Sequence, residues 1–271
     1  AGSHAGQARQ QDGQTRGAGM IPRIAAFLMA LLLAAAVPAQ DTSPDPLKEA
    51  AQINARLAME YMKRDQLSVA RDKVERALAL NPHDLTVQLA AGVVYERLLD
   101  TKRAEKHFRL ALRADADSPE AQNALGAFLC RHGEFAKGEA MFLKAAGNPL
   151  YRTPEVAYTN AGVCARSAAS PERAEKYLRQ ALAVHAIYPE AFLQLAGVLH
   201  DRGNHLQARA FIERFLEAAP ATPDALLLGQ QIEMALNDRP AAAVYSERLR
   251  KEFPESVQLR VLDDIERRNP E

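Results

Sequence analysis

The sequence predicts an all-α, right-handed superhelical solenoid of about six helix-turn-helix repeats with a C-terminal capping helix. Three observations lead there. Small and large apolar residues return at a spacing of 34 along most of the chain. Ala and Leu, strong helix formers, dominate a composition in which aromatics are only 6% and Trp is absent. Prolines recur where one repeat would end and the next begin, at Pro82, Pro119, Pro149, Pro189, Pro220 and Pro254.

The period is read residue by residue. Ala58, Tyr61, Ala70, Val74 and Ala77 are each followed 34 places on by Gly92, Tyr95, Ala104, Phe108 and Ala111. A third set is Gly126, Leu129, Gly138, Phe142 and Ala145, and a fourth, 36 on, contains Gly162, Ala174, Leu178 and Ala181. Ala196, Leu199, Ala208, Ile212 and Phe215 make a fifth, and a weaker last copy shows Gly229, Ile232, Ala241 and Tyr245. The small residue at position eight lies on the first helix of a repeat and the one at position twenty on the second. Two helices cross closely only where side chains are small, and the large residues at helical spacing fill the space between repeats. The predicted pairs are 47–63/67–80, 85–99/101–114, 119–132/135–146, 154–167/171–184, 189–202/205–218 and 223–236/239–252, with a charged capping helix over 256–268.

The 271 residues carry 34 basic and 34 acidic side chains, a formal net charge of zero, with no Lys/Arg block. Phosphate neutralisation supplies most of a duplex binder's affinity, so nucleic acid is not an expected partner. Hydrophobic residues at 48% exclude disorder by composition. The chain divides into 1–19, an extension with no apolar period; 20–39, a signal peptide; 40–46, a linker; and 47–271, the solenoid. The signal reading rests on Arg23, the uncharged run Ile24 to Val37, and small residues ending at Ala39. At about 14 residues the run is short for the ~20 of a spanning helix, though a retained N-terminal anchor stays open. Export to the periplasm of a Gram-negative cell follows from the cleaved-signal reading. The linker's Pro44 and Pro46 forbid a helix across it.

The repeat resembles the tetratricopeptide family, whose 34-residue signature is small at eight, aromatic at eleven, small at twenty and Pro near thirty-two; Leu57, Ala58, Tyr61, Ala70, Ala77 and Pro82 match it. A narrower resemblance rests on Asn123-Ala124-Leu125-Gly126-Ala127-Phe128-Leu129-Cys130, Asn148-Pro149-Leu150-Tyr151 and Tyr158-Thr159-Asn160-Ala161-Gly162-Val163-Cys164-Ala165, in that order. This series is similar to the type IV pilus biogenesis and stability proteins of the PilF/PilW family. The resemblance implies a periplasmic, outer-membrane-associated factor that supports assembly or localisation of a secretin, or stabilises pilus fibres. Family members that are lipoproteins carry Cys at the first mature position. Here that position is Gln40, which argues against acylation and leaves peripheral membrane association. A generic exported adaptor for another envelope machine is the alternative. A monomer is expected.

Cys130 and Cys164 fall on first helices of adjacent repeats. In an oxidising compartment they would form a disulfide; otherwise they are two buried thiols acting as small hydrophobes. The histidines, among them His200 and His205, lack metal spacing and read as surface or packing groups. No phosphate loop, nucleophile elbow or catalytic carboxylate pair occurs, so no enzyme and no cofactor are expected. The candidate protein-binding groove follows from the tetratricopeptide register, in which first-helix positions two, five, nine, twelve and thirteen face inward, Glu96 at position twelve of the second repeat among them. It comprises Met59, Met62, Lys63, Leu89, Val93, Arg97, Asn123, Ala127, Arg131, Thr159, Val163 and Arg166. The Lys and Asn with which chaperone-binding members clamp a C-terminal carboxylate are missing. A small apolar groove with Met59 and Met62 at its mouth suits a helix or an extended apolar peptide.

Overall fold

The computed structural model describes residues 45–268. The extension at 1–19, the signal peptide at 20–39 and the linker up to Pro44 lie outside the described residues. Among the described residues there are thirteen α-helices and no strand. They pair as α1 (Pro46–Lys63) with α2 (Leu67–Leu80), α3 (Leu85–Arg97) with α4 (Thr101–Ala114), and α5 (Pro119–Arg131) with α6 (Phe135–Ala146). The series continues with α7 (Pro154–Ser167) and α8 (Pro171–Val184), α9 (Pro189–Asp201) and α10 (His205–Ala218), then α11 (Pro223–Ala235) and α12 (Arg239–Glu252). Helix α13 (Val257–Arg268) follows as the cap. Each helix packs on its hairpin partner, and each second helix packs on the first helix of the next repeat.

The clearest mark of the period is in the backbone. Asp65, Leu99, Gly133, Ala169, Gly203 and Asn237 each hold a positive φ, between 53° and 81°. They stand 34, 34, 36, 34 and 34 residues apart. One residue later the chain N–H returns to a carbonyl five residues back: Gln66 to Tyr61 (2.9 Å), Asp100 to Tyr95 (2.9 Å), Glu134 to Leu129 (2.8 Å), Ser170 to Ala165 (2.9 Å), Asn204 to Leu199 (2.8 Å) and Asp238 to Glu233 (2.9 Å). This is the Schellman closure of a helix end, and it satisfies carbonyls that would otherwise lack a partner. It also ends four of the first helices one or two residues before the predicted limits at 99, 132, 202 and 236. At the other ends, Pro119, Pro154, Pro171, Pro189 and Pro223 open helices, where a missing N–H costs nothing.

Within a repeat the helices cross where a side chain is absent. A Cβ on Gly92 would lie 2.6 Å from Cε1 of Phe108, and one on Gly162 would lie 2.6 Å from Cγ of Leu178. Phe108 and Leu178 are themselves buried, so they have no room to retreat. Between repeats one and two, Gln52 donates to Asp84 (2.9 Å), which also caps α3 by accepting from the N–H of Val87 (3.1 Å). Buried Gln88 joins the inter-repeat loop to the second helix, donating to the Pro82 carbonyl while its oxygen meets Nδ1 of His107 (2.7 Å).

The sixth repeat differs from the copy seen in the sequence. Gly229 does pack beneath Tyr245, whose Cε1 would be 2.5 Å from an added Cβ. The turn residue nevertheless advances by a full 34, from Gly203 to Asn237. The core positions matching Ala196, Leu199 and Ile212 are therefore Gln230, Glu233 and Ser246, all buried. Leu226, Leu249 and Leu262 close the core beneath the cap. Arg250 on α12 then holds α13 through Asp263 (3.0 Å) and Glu266 (2.5 Å).

Gly92→Ala forces its Cβ into the Phe108 ring. It should lower unfolding free energy by about 1–3 kcal/mol, measured as a shift of the urea midpoint. Gly133→Ala, at a position with open space around it and φ of 81°, should cost only the backbone strain of about 1 kcal/mol.

Candidate binding groove

The first helices α1, α3, α5 and α7 stand side by side and carry the twelve candidate groove residues. Their environments divide the surface in two. At the N-terminal end Met59, Met62, Leu89 and Val93 are half-buried, set against the core of repeats one to three. Ala55, Arg56, Met59, Thr86, Leu89, Ala90 and Val93 line a hollow of about 170 Å³ between α1 and α3. Apolar side chains at positions five and nine of successive first helices make this hollow, because those positions fall on one face of each helix. Lys63, at the end of α1, is exposed and bonded to Glu60 (2.8 Å).

Further along, several predicted residues are engaged with partners on neighbouring repeats. Arg97 donates to Asp65 of the preceding repeat (3.2 Å). Arg131 makes a two-pronged contact with Glu96, Nε to Oε1 at 2.8 Å and Nη2 to Oε2 at 2.7 Å. Arg166 reaches Asp201 of the following repeat (2.8 Å through Nε). It lies across Gly197, where a Cβ would come within 2.8 Å of Nη1. Asn160 donates to Asn123 (3.0 Å) between repeats three and four. Ala127 is half-buried, Val163 is 37% exposed, and Thr159 is only 2% exposed. Thr159 therefore faces the packed interior and has almost no surface to offer a guest.

Between repeats three and four the linking pair is Cys130 and Cys164. Their Cα atoms are 5.7 Å apart, inside the roughly 4.4–6.8 Å that a disulfide spans. Cys164 is buried and Cys130 half-buried. Between repeats five and six, Arg209 donates to Glu233 (2.8 Å through Nε) and to Asp238 (3.1 Å). Every neighbouring pair of repeats is thus tied by at least one polar or sulfur link. Of the acidic partners, the register places Glu96 on the inward face, while Asp65, Asp201 and Glu233 were not singled out in the sequence. An opposite charge one repeat away, at 32 to 35 residues, is the signal that exposes three of them.

The remaining concavities are less suited to a protein guest. One of about 1120 Å³ opens between α12 and α13 beside Gln230 and Met234, with Arg250, Lys251, Glu247 and Glu266 on its walls. No group of three or more His, Cys, Asp or Glu side chains converges as metal ligands among the described residues. No described helix is long and apolar enough to cross a membrane.

Helix hairpins closed by the same turn, stacked in one direction and tied at each interface, define a tetratricopeptide solenoid. The tetratricopeptide repeat family model matches residues 55–119 and 162–223. The crystal structure of PilW, described as a widely conserved type IV pilus biogenesis factor, superposes with a TM-score of 0.70 at 33% identity, over 78% of this chain and 97% of that one. The type IV pilus assembly protein PilF of Pseudomonas aeruginosa is 25% identical over 238 residues, 86% of this chain and 94% of PilF. The PilF structure shares the fold, with a TM-score of 0.67 at 23% identity. The chain belongs to the PilF/PilW family of tetratricopeptide proteins.

The inter-repeat links differ in burial, and their removal should differ accordingly. Arg97→Met breaks a pair in which both side chains, Arg97 and Asp65, are exposed and should cost less than about 1 kcal/mol. Arg209→Met strands the carboxylate of Glu233, whose side chain is 3% exposed, and should cost about 3 kcal/mol. Urea denaturation of both variants reads the contrast; equal effects would refute the assignment.

Proposed function

We propose that this chain is an exported, non-enzymatic scaffold for type IV pilus biogenesis. It works as a monomer in the periplasm, in peripheral contact with the outer membrane. There it binds a secretin subunit or another pilus component and supports its assembly, localisation or stability. Support for the pathway comes from family membership and from the roles of PilW as a type IV pilus biogenesis factor and of PilF as a type IV pilus assembly protein. Support for export comes from the signal-like stretch ending at Ala39.

The observation that carries the binding reading is the apolar hollow between α1 and α3. Its floor of Met59, Leu89, Ala90 and Val93 is apolar and concave, while the arginines further along are already paired. A guest therefore gains most by placing an apolar helix face or extended apolar side chains against repeats one and two. Methionine at the rim adapts to such a guest because its side chain is unbranched and polarizable.

A photo-crosslinking residue at Met59 or Val93, installed in the native envelope, should give adducts with a pilus component. The same probe at Lys106, exposed on α4, should give none. Adducts from Lys106 alone would reject the groove. Recovery of no pilus component from any position, with normal secretin multimers in a deletion strain, would reject the pathway.

The same reading makes Cys130–Cys164 a disulfide in the oxidising compartment. Its loop, from a sequence separation of 34, is worth about 3–4 kcal/mol in the chain-entropy model. Reduction should lower the denaturation midpoint by a corresponding amount, and the Cys130→Ser/Cys164→Ser variant should become insensitive to reductant. Two titratable thiols in protein purified from the envelope would contradict the bond.

A further inference from the structure

His200 ends the packed part of α9 and His205 opens α10 in the same repeat. The turn between them is closed by Gly203, with φ of 77°, and by the Asn204 N–H on the Leu199 carbonyl at 2.8 Å. Their Nδ1 atoms face each other at 3.2 Å, with the two rings 54° apart in plane. Both rings are half-buried. A spacing of five puts these histidines on different faces of one helix or across a turn, and the sequence alone reads them as surface or packing groups. The turn brings them back together.

We propose that His200 and His205 chelate one divalent transition-metal ion, copper(II) most tightly, with zinc or nickel behind it. Two imidazole nitrogens bound at about 2.0–2.1 Å to one ion at a near-tetrahedral angle lie about 3.3 Å apart. The observed 3.2 Å is close to that tetrahedral spacing, and the square-planar geometry that copper(II) favours would draw the two nitrogens to about 2.8 Å. Imidazole suits copper, zinc and nickel, and affinity among divalent ions peaks at copper. Ligation needs the unprotonated ring. Burial, followed by the neighbouring His205, holds the His200 ring below its ordinary pKa and so favours that form. The nearby Arg166 guanidinium is neutralised by Asp201 at 2.6 Å, which limits its repulsion of a cation. Water supplies the other coordination positions, since no third metal-binding side chain converges there among the described residues.

The test is titration of the untagged, exported chain with copper(II) and, separately, zinc, after confirming that no free thiol reacts. Calorimetry should show one strong site per chain, and the copper spectrum by electron paramagnetic resonance should show nitrogen coupling from two imidazoles. His205→Gln should weaken binding by at least about tenfold, since even the loss of an outer partner of a metal ligand costs 10–100-fold. His200→Gln should do the same, whereas His185→Gln should leave affinity unchanged. Thermal melts of the metal-free variants separate ligand loss from misfolding; if His200→Gln unfolds, His205→Gln, at the exposed start of α10, decides alone. Absence of a strong site, or a site that survives His205→Gln, overturns the proposal and leaves the pair as a hydrogen-bonded packing contact.

Discussion

The structure depends on helices that cross over a residue with no side chain. Gly92 lies under Phe108, Gly126 under Phe142, Gly162 under Leu178 and Gly229 under Tyr245, and at each an added Cβ would stand 2.5–3.0 Å from the covering side chain. Close approach lets one large residue fill the whole crossing, so each hairpin buries its apolar face in the same geometry. The left-handed residue that follows seven or eight places later returns the chain at the same angle each time. Units of one shape, each unable to bury its outer face alone, must stack, and stacking with a constant offset produces curvature. The groove is a consequence of that curvature rather than a separately built cavity.

Stacking alone would leave neighbouring repeats free to slide, and the inter-repeat links oppose this with different strengths. Asp65–Arg97 is a solvent-exposed pair, worth little, whereas in Glu96–Arg131 the arginine is exposed and the Glu96 side chain is only 18% exposed. Cys130 and Cys164 sit at bonding range in the middle of the array. Arg209 and Glu233 hold the fifth interface with the carboxylate almost fully buried. The first interface adds the Gln52–Asp84 hydrogen bond at 2.9 Å to the Asp65–Arg97 pair. The apolar hollow lies at this interface, between α1 and α3, and Met59 in its wall supplies side-chain adaptability toward an apolar guest.

Most of the fold was legible in the sequence because the crossing requirement acts on residue size at fixed spacing. Ala58, Gly92, Gly126 and Gly162 announce the first helices, and Ala70, Ala104, Gly138 and Ala174 the second. Helix limits were legible to within one or two residues, since the Schellman turn consumes the last positions without leaving a consistent residue type: Asp65, Leu99, Gly133, Ala169, Gly203 and Asn237 share a conformation but no chemistry. The groove was legible only as a face. Its register placed Met59, Leu89 and Val93 together, but it could not reveal that Arg97, Arg131 and Arg166 are taken up by partners a repeat away. Nor did it show Thr159 turned into the core. Side-chain pairing across repeats depends on the superhelical offset, which a linear period does not contain.

The sixth repeat separates the two possible carriers of the period. If residue size alone set the register, the chain would follow Gly229, Ala241 and Tyr245 and shorten the repeat by one. The turn at Asn237 instead keeps the 34-residue advance. It does so although Gln230, Glu233 and Ser246 then occupy positions that hold Ala, Leu and Ile in the fifth repeat. The cost is visible: Gln230 keeps a buried side-chain oxygen without a hydrogen-bond partner, and a large concavity opens beside it. Glu233 escapes the same fate because Arg209 crosses the interface to meet it. An unsatisfied buried oxygen costs about 1–3 kcal/mol, so a register that accepts it must be held by something stronger. The candidates are the two backbone bonds of the turn and the apolar closure of Leu226, Leu249 and Leu262, all of which a one-residue slip would break together. The sixth repeat thus satisfies both carriers of the period: Gly229 still crosses under Tyr245, while the turn and the buried positions keep the 34-residue advance, and the polar residues Gln230, Glu233 and Ser246 mark where the two registers part.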